Sequence, residues 1–459
     1  MNVRGIGPAI TPPPKAGGSL FLATPKGRNI RPPLSPRPPM SPAPARACGI
    51  DFGTSNSTVG WLRPGVPALL ALEDGKPTLP SAVFFNADEE STHYGRDALQ
   101  EYLEGYEGRL MRALKSLLGS NLMEGSTEVG GRALRYSDLL ASFIGELKRR
   151  AEREAGRPFD QAVFGRPVFF VDDNPAADRR AQDTLEHIAR QVGFREVSFQ
   201  FEPIGAALHY EASLSREELV LIADIGGGTA DFSLVRLSPE RARHLDRHSD
   251  LLGNAGLHVG GTDFDRALSL ECVMPLLGHK GLMKSGAAIP SRLFFQLATW
   301  HTINFAYTRQ AFADFQHIYR DATAKRELDR LARLIGQREG HWLALQVEQA
   351  KIELSAGAST RLQLDRLEPG LEHDISREDF AQATHSLVER VARTVDELLT
   401  QAGVARERVD SLYFTGGASG VPQLRARIAA ELPRARCVEG DLFGSIGAGL
   451  AVEAARRYG

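Results

Sequence analysis

Apolar residues recur along this chain with two periods, one typical of strands and one typical of helices. Short apolar runs bounded by glycine or polar residues predict strands, and longer runs with apolar positions three and four apart predict helices. Strands and helices that alternate with short connections indicate an α/β fold. The predicted strands are residues 47–52, 59–62, 66–72, 82–85, 162–171 and 197–201, and the predicted helices are 102–118, 136–155 and 178–193.

Two glycine-rich segments each follow an apolar strand that closes with an aspartate. They span residues 49–58 and 222–232, and each leads into a second apolar strand. Glycine lets successive backbone N–H groups point at phosphate oxygens, and threonine and serine hydroxyls add donors. Two such loops indicate duplicated halves that grip one phosphate chain from both sides, although either loop alone is also compatible with an ordinary hairpin turn.

The aspartates of these segments cannot face phosphate directly, because like charges repel. Their natural partner is hydrated Mg²⁺, which bridges carboxylate and phosphate oxygens. We therefore expect Asp51, Asp224 and Asp231 on the metal side of the site, with contacts made largely through water.

Two stretches of small residues, 204–210 and 444–451, predict helices with little side-chain bulk. Glycine inside a helix costs up to about 1 kcal/mol relative to alanine, so its repetition needs a packing reason. Two such helices that cross closely supply that reason, and they would form a hinge between the duplicated halves. Ordinary tight packing without motion is the alternative.

A third glycine element, Gly416-Gly417-Ala418, follows a predicted strand at 412–414 and precedes a predicted helix at 423–431. A flat base and its ribose need close backbone approach without intruding side chains, which a Gly-Gly turn permits. The N-terminus of the following helix is also placed to meet a phosphate. Together with the two loops, this element completes a predicted nucleotide site.

The chain has 459 residues, which is too long for one ordinary core and predicts about two to four domains or subdomains. Its net charge of −2 gives no global bias toward nucleic acid or membrane, so neither is expected as a partner. The sequence lacks a run of about 18 uncharged apolar residues, so no membrane span is predicted. The three cysteines form neither a disulfide framework nor a metal motif, which favours a reducing, cytoplasmic location.

Residues 1–46 differ from the rest of the chain because they are rich in proline and contain basic but no acidic residues. Such a segment cannot bury a core, and we expect it to be disordered or polyproline-like. A functional interpretation is a basic tether or a Pro-x-x-P ligand. The simpler interpretation is a dispensable arm or a start codon placed too far upstream.

Six segments, in this order, resemble motifs of the ATPase domain of DnaK-type heat-shock chaperones, within the superfamily of actin, sugar kinases and chaperones. This resemblance covers about residues 47–457 and implies an α/β fold of duplicated ribonuclease H-like (actin-like ATPase) lobes, with a nucleotide cleft between the two lobes. The matching segments are 49–57 (first phosphate loop), 202–210, 224–233 (second phosphate loop), 258–265, 347–355 (adenosine-binding helix) and 415–422 (adenine loop).

The resemblance also implies roles for single residues, with ATP or ADP and Mg²⁺ as ligands. Lys115 matches the lysine that positions the attacking water, although spacing alone is compatible with a solvated helix lysine; Glu202 matches the carboxylate near Mg²⁺ and water. The predicted catalytic residues are Lys115, Glu202, Asp224, Thr229 and Asp231. The predicted nucleotide contacts are Gly53, Thr54, Ser55, Asn56, Gly226, Gly227, Gly228, Thr229, Gly260, Gly261, Glu348, Lys351, Ser355, Gly416, Gly417, Ala418 and Asp441.

Three positions depart from the family pattern at the base end of the predicted site. Gly420 stands where the family has an arginine that stacks on adenine, and Ala418 replaces a serine. Ile352 replaces the second basic residue of the adenosine-binding helix. We therefore expect weaker purine affinity and a less strictly specified base.

The family continues into an apolar linker, a peptide-binding β-sandwich and a helical lid, whereas this sequence stops at Gly459. Its layout is most similar to the short YegD-like members, which consist of the ATPase domain without a substrate domain. The expected organisation is an arm at 1–46, an N-terminal lobe at 47–218 and a C-terminal lobe at 219–459 with a helical insertion at about 276–345. The aromatic and histidine side chains of that insertion are expected to be ordinary core or surface residues. The alternative is a surface on the outer lobe that binds a protein client or an exchange factor.

These observations predict an ATP-binding, slowly hydrolysing protein that works as a nucleotide-driven conformational switch. One alternative is a small-molecule (sugar-type) kinase of the same superfamily, in which a carboxylate base activates a sugar hydroxyl instead of water. A second alternative is a non-catalytic module that only binds nucleotide or forms filaments.

Overall fold

The computed structural model describes residues 46–459 except 172–173, 244–247 and 442–443. The prediction for the arm at 1–46 therefore falls, apart from Arg46, outside the described residues. Within the described ranges, no helix combines the length and apolarity that crossing a membrane requires.

The regular elements alternate along the chain, as the apolar pattern predicts. The strands are β1 (Ala47–Phe52), β2 (Asn56–Gly60), β3 (Thr78–Pro80), β4 (Ala82–Asn86), β5 (Ser91–Tyr94), β6 (Gly108–Arg112), β7 (Ser126–Val129), β8 (Arg132–Arg135), β9 (Gln161–Arg166), β10 (Glu196–Phe201), β11 (Glu218–Ile225), β12 (Ala230–Leu237), β13 (Leu251–Leu257), β14 (Ser359–Gln363), β15 (Glu372–Ser376), β16 (Ser411–Thr415) and β17 (Arg436–Glu439). The α-helices are α1 (Arg96–Glu104), α2 (Tyr136–Ala155), α3 (Pro175–Gln191), α4 (Glu202–Glu211), α5 (Gly261–Leu268), α6 (Arg292–Leu297), α7 (Arg309–Asp321), α8 (Lys325–Gly336), α9 (Gly340–Ala356), α10 (Arg377–Gln401), α11 (Pro422–Glu431) and α12 (Ser445–Tyr458). The 3₁₀ segments that bear on the site are Leu114–Leu117, Trp300–Tyr307 and Gly417–Gly420.

Two five-stranded sheets repeat one topology. The first has the order β10-β9-β1-β2-β3 and the second the order β17-β16-β11-β12-β13. In each sheet a central antiparallel hairpin, β1–β2 or β11–β12, continues on one side into two parallel strands and on the other into an antiparallel strand. We refer to the chain before β11 as the first lobe and to the chain from β11 onward as the second lobe. The repeated order confirms the predicted duplication, whereas the residue at which one domain ends and the next begins stays a prediction.

The two central hairpins also have loops of equal length. Phe52 pairs with Ser57 across β1–β2, which leaves residues 53–56 in the loop. Ile225 pairs with Ala230 across β11–β12, which leaves residues 226–229. The glycine-rich segments of the sequence are therefore the closing loops of two equivalent hairpins.

Helices α4 and α12 cross at the glycine positions of their small faces. A Cβ atom added to Gly449 would lie 1.8 Å from the carbonyl oxygen of Gly205, which no side chain can accommodate. Helix α12 also packs on the first-lobe sheet, because a Cβ on Gly49 of β1 would lie 2.3 Å from the Leu450 backbone. The predicted close crossing is confirmed, and its role as a hinge stays a prediction.

Separate apolar clusters hold the lobes and their junction. The first-lobe core contains Phe52, Phe143 and Phe164, and the larger second-lobe core contains Phe232, Phe264, Phe294, Phe380 and Phe414. A smaller cluster joins residues of α4, β11 and α12, including Ala206, Ile222 and Leu450. Burial of these side chains, at about 25 cal/mol per Å² of apolar surface, drives both halves to fold onto the sheets.

Several predicted elements differ from the structure. The predicted helix at 102–118 is wrong, because α1 ends at Gly105 with φ +92° and residues 108–112 then pair with β4 as strand β6. The predicted strand at 66–72 is wrong, because only Val66 and Leu69 of this range form isolated bridges. The predicted strands at 59–62 and 162–171 are displaced or too long, since β2 ends at Gly60 and β9 ends at Arg166. The helical character of 276–345 is confirmed by α6, α7 and α8.

Candidate functional site

The two hairpin loops lie against each other in a narrow cleft between the lobes. A Cβ atom added to Gly227 would lie 2.4 Å from Ser55 Oγ, and one added to Gly228 would lie 2.9 Å from Thr54 Oγ1. A side chain at Gly227 would press on both the hydroxyl and the backbone nitrogen of Ser55 in the opposite loop. The predicted meeting of residues 53–57 with residues 226–229 is therefore present.

A third segment supports the second loop from behind. The N–H of Gly261 donates to the carbonyl of Gly226 at 2.9 Å, and the N–H and hydroxyl of Thr262 both donate to the carbonyl of Gly227 at 2.8 Å. A Cβ on Gly260 would lie 2.5 Å from the nitrogen of Gly228. These contacts fix the loop at 226–229 in one conformation, with glycine required by the close approach.

Below the loops, four carboxylates are buried around one ammonium group. Asp224 of β11 stands opposite Asp231 of β12 in the antiparallel register. Lys115 Nζ forms an ion pair with Glu202 Oε1. The buried charged groups are Asp51, Lys115, Glu202, Asp224 and Asp231, all of them at most 9% exposed.

Hydrogen bonds hold one face of the Asp231 carboxylate. Its Oδ1 accepts from the N–H of Val168 at 2.6 Å, and the Thr229 side chain also hydrogen-bonds to the carboxylate. The turn after β9 and the second hairpin loop therefore orient this carboxylate together.

Burial and mutual repulsion raise the pKa values of three of these carboxylates. Burial, with added repulsion from Glu202, raises the pKa of Asp51 and of Asp231 to about 7. The same two causes raise the pKa of Asp224 well above its ordinary value. Burial alone lowers the pKa of Lys115, but the charges of Glu202 and Asp51 outweigh it and raise that pKa. A single ammonium cannot neutralise four carboxylates, so the cluster favours a further cation.

Two oxygen atoms of this cluster are available to a cation. Among the described residues, Asp224 Oδ1 and Asp231 Oδ2 are buried and have no hydrogen-bond partner. Buried polar atoms without partners are unfavourable, and Mg²⁺ prefers carboxylate and water oxygens as ligands. Asp51, Asp224 and Asp231 would hold the ion, and this assignment stays a prediction.

Lys115 lies on a 3₁₀ turn, Leu114–Leu117, rather than on the predicted helix. The turn begins after Ala113, whose φ of 53° is unusual for a residue with a side chain. Ala113 packs into the second-lobe core, whereas the adjacent Leu114 packs into the first-lobe core. The turn that carries Lys115 is therefore fixed from both sides of the cleft, and Lys115 is buried instead of being solvated.

Some of the residues that line the cleft were not predicted. Ser116, Pro167, Phe170 and His258 line it together with Thr54, Lys115, Gly228 and Thr229. His258 could have been identified from the sequence, because it belongs to a segment that resembles a family motif. Pro167 and Phe170 come from the turn after β9, and no local pattern marks them.

Helix α9 presents the three residues predicted to contact adenosine. Lys351 Nζ forms an ion pair with Asp265 Oδ1 at 2.8 Å and lies 3.4 Å from the carbonyl of Gly261, so it borders the supporting segment of the loop. The hydroxyl of Ser355 donates to the carbonyl of Lys351 within the helix. Glu348 is engaged by Arg112 of the first lobe through two hydrogen bonds of 2.6 and 3.2 Å.

The adenine loop forms a tight turn beside these residues. Gly416 has φ +81°, and its Cβ would lie 2.5 Å from Asp224 Oδ1, so the turn needs glycine on both grounds. A Cβ on Gly261 would lie 3.5 Å from the Cβ of Ala418, which brings the loop next to the supporting segment. Ile352, at the position where the family has a basic residue, is 54% exposed.

Asp441 lies one turn before α12. The hydroxyl of Ser445 donates to its carbonyl at 2.9 Å, and the same hydroxyl lies 2.7 Å from that of Thr415. Thr415 pairs with Asp224 across β16–β11, so Asp441 is linked to the base end through two neighbours. The structure thus brings Thr54, Lys115, Gly228 and Thr229 together in one cleft, while the contacts of all the predicted residues with nucleotide stay predictions.

Comparisons with known proteins agree with this arrangement. The family model described as Hsp70 protein matches residues 47–278 and 315–455. The chaperone protein DnaK of Halobacterium salinarum is 24% identical over 386 residues, which are 83% of this chain and 51% of that protein. The chain therefore spans about half the length of this curated relative.

Proposed function

The chain belongs to the Hsp70 protein family, and from that premise we propose that it is a Mg²⁺-dependent ATPase whose two lobes respond to the bound nucleotide. The family has the two-lobe, actin-like ATPase fold, and its members bind ATP or ADP and hydrolyse ATP. The proposal goes beyond the family in naming the residues that act and in taking hydrolysis to be slow.

One observation carries the proposal. Two equivalent hairpin loops meet over a buried cluster of four carboxylates and one lysine. Backbone N–H groups in glycine-rich loops suit phosphate oxygens, and the carboxylates suit the cation that accompanies a triphosphate. A binding site for an uncharged ligand would gain nothing from burying these charges, which is unfavourable in itself.

The geometry gives each residue a task in phosphoryl transfer to water. The loops at 53–56 and 226–229 bind and orient the phosphate chain, and the ammonium of Lys115 offsets the negative charge that develops on the transferred group. Glu202 holds that ammonium and is placed to orient a water molecule. Bound Mg²⁺ would neutralise phosphate charge at Asp51, Asp224 and Asp231. Closure of the lobes excludes bulk solvent.

Hydrolysis of Mg·ATP by the purified protein tests this proposal, with Lys115→Ala beside the wild type. We expect Lys115→Ala to lose about 100-fold or more of kcat, because electrostatic contacts in the transition state carry several kcal/mol. Lys148→Ala is the matched control, since Lys148 forms a comparable ion pair with Glu152 at 2.5 Å on α2, away from the cleft. A difference of tenfold or less between Lys115→Ala and the control would remove the catalytic assignment.

The same preparation separates the alternatives. Phosphate transfer to a candidate sugar, with little release to water, would identify a small-molecule kinase. A nucleotide-dependent rise in melting temperature without turnover would identify a binding module, since ligand at a hundred times Kd adds about 2.7 kcal/mol of stability. Either result would contradict the proposed ATPase.

Contacts with proteins are a further part of the proposal. The matched relative is named a chaperone, and action on client proteins is therefore a hypothesis for this chain. Exposed apolar side chains on the helical insertion offer a surface for a client or an exchange factor, and they are Leu282, Phe295, Phe305 and Phe312. Resemblance to YegD-like members and a cytoplasmic location stay predictions.

A further inference from the structure

Residues 279–314 lie between the two ranges that the family model matches. This unmatched segment contains α6 and the 3₁₀ segment Trp300–Tyr307. Trp300 and Ile303 are buried in the second-lobe core, at 6% and 0% exposure, so the segment is an integral part of that lobe. It therefore adds to this chain contacts that the family pattern does not contain.

One of these contacts crosses the cleft. The Arg112 guanidinium, at the end of β6 in the first lobe, lies 4.3 Å from the centre of the Trp300 ring. The same guanidinium binds both carboxylate oxygens of Glu348 on α9. We call Arg112, Trp300 and Glu348 the clasp. An arginine held by a bidentate ion pair and an aromatic face is fixed in both position and orientation.

Neighbouring side chains extend this contact between the lobes. The hydroxyl of Tyr102, on α1, accepts from the N–H of Trp342 at 3.1 Å. The ring of His341 lies between the rings of Tyr102 and Trp300, at centroid distances of 6.0 and 5.8 Å. The clasp and this aromatic group together form what we call the outer mouth of the cleft.

Arg112 is close in sequence to the proposed catalytic lysine. It is followed directly by Ala113, with its φ of 53°, and then by the turn that carries Lys115. The N–H of Ser116 donates to the carbonyl of Ala113, and the N–H of Leu118 donates to that of Lys115, both at 3.0 Å. A strained residue keeps its conformation only where its surroundings fix it. Arg112 directly precedes Ala113 and is held by its contacts with Trp300 and Glu348, so it fixes Ala113 from the N-terminal side.

We propose that Arg112 is a positioning residue: the clasp fixes the turn at 113–117, so that Lys115 reaches its working position when the outer mouth is closed. Opening of the mouth releases Arg112 from the second lobe and loosens the turn. Closure of the outer mouth around the nucleotide then also places Lys115 in its working position. This inference rests on the proposed ATPase function for its kinetic consequences, but not for its structural ones.

Substitution of Arg112 tests the proposal by kinetics. We expect Arg112→Ala to lower kcat by about 10- to 100-fold, the cost of misplacing a catalytic group by about 1 Å. Arg112→Lys keeps the charge but not the bidentate, stacked geometry, so it should recover only part of that loss. Trp300→Leu, which removes the stacking face alone, should lower kcat less than Arg112→Ala. Its effect should also disappear when Arg112 is already alanine.

Arg330→Ala is the matched control. The Arg330 side chain is as buried as that of Arg112, both 9% exposed, and it pairs with Glu368 at 2.5 Å, but both of its partners lie within the second lobe. We expect this variant to leave kcat unchanged. A fall in kcat for Arg112→Ala no greater than for Arg330→Ala would overturn the proposal. A change confined to KM would also overturn it, since the clasp would then affect binding alone.

Hydrogen exchange tests whether the clasp fixes the turn at 113–117, and it does not depend on ATP hydrolysis. In the full chain without nucleotide, we expect Arg112→Ala to speed exchange at the amides of Ser116 and Leu118 at least about tenfold relative to Arg330→Ala, because local opening of the turn exposes both. Unchanged exchange at these amides would overturn the proposal even if kcat fell. If the wild type hydrolyses no ATP, the proposed ATPase function is wrong. The exchange rates of Ser116 and Leu118 then test on their own whether the clasp fixes the turn.

Discussion

The inner end and the outer mouth of the cleft are built in different ways. The inner end consists of two equivalent hairpin loops and a buried carboxylate cluster, each part repeated or marked by glycine and aspartate in the sequence. The outer mouth joins Arg112 and Tyr102 of one lobe to Trp300, His341 and Glu348 of the other, without any repeat. The comparison teaches that the buried charges and the contacts between the lobes occupy separate parts of one cleft, connected by the short turn that carries Lys115.

The largest effect is expected at the inner end. Asp231→Asn should lower kcat/KM by about 10²- to 10³-fold, because it removes one negative charge from the proposed cation site while it keeps the side-chain shape. Steady-state ATP hydrolysis measures this loss. Asp250→Asn, which changes a buried aspartate far from the cleft at 3% exposure, is the control. Equal activity of Asp231→Asn and Asp250→Asn would contradict the assignment of the proposed cation site to the inner end.

The next effect concerns the crossing of α4 and α12. Gly449→Ala should lower the free energy of unfolding by about 3 kcal/mol, because the added carbon would lie 1.8 Å from the backbone oxygen of Gly205. Gly145→Ala is the helical control, since its nearest neighbour would be 3.6 Å away, and it should stabilise the protein by up to about 1 kcal/mol. Urea unfolding of both variants measures the difference. Similar stabilities would show that the crossing tolerates a methyl group and has room to move.

A pH effect of intermediate size is expected at the outer mouth. Burial, with repulsion from Arg112 and Arg109, lowers the pKa of His341 to about 3. As pH falls below about 6.5, the unfolded chain takes up a proton at this position and the folded chain does not. The stability that neutral His341 contributes is therefore complete above pH 6.5 and is lost as pH falls toward 3.

The variant His341→Gln isolates this contribution. It keeps an N–H donor for the Trp300 carbonyl but does not titrate. Between pH 6.5 and 5, wild type should lose about 1 kcal/mol per pH unit more than the variant, measured by urea unfolding. Parallel pH profiles would show that His341 is hydrated or protonated in the folded protein.

The smallest effect is expected at the base. Ile352→Arg should tighten ADP binding by about two- to fivefold, because a guanidinium over an adenine ring gains about 0.5–1 kcal/mol at an exposed site. Titration calorimetry with ADP and with GDP measures the change, and Ile352→Leu is the matched variant that should change neither affinity. Unchanged ADP affinity in Ile352→Arg would mean that the base does not lie over this position.

The loops at the inner end could be predicted from the sequence because their conformation depends on residues that are neighbours in the chain. Glycine and aspartate at the ends of apolar strands predict the loops whether or not the rest of the fold is known. Residues 102–118 were misread because their apolar spacing fits a helix, yet Gly105 ends α1 and the following residues find partners on β4. The structure of residues 108–112 is determined by their pairing with β4. The local sequence pattern carries no information on that pairing.

The clasp was not predictable for a related reason. Glu348 was identified by resemblance as a ribose contact, and nothing near Arg112 in the sequence signals that it binds this carboxylate from 236 residues away. Trp300 lies in a segment for which the family offers no template. Its role depends on the position of the second lobe relative to the first, which is a property of the complete fold.

The packing of α12 on β1 has a consequence for the order of synthesis. The first lobe emerges from the ribosome with one face of its sheet uncovered, because the helix that packs there is made more than 380 residues after β1. Apolar residues of that face, such as Val163, stay open to other chains during this interval. A nascent chain of this protein is therefore a candidate for protection by molecular chaperones until its final helix is made.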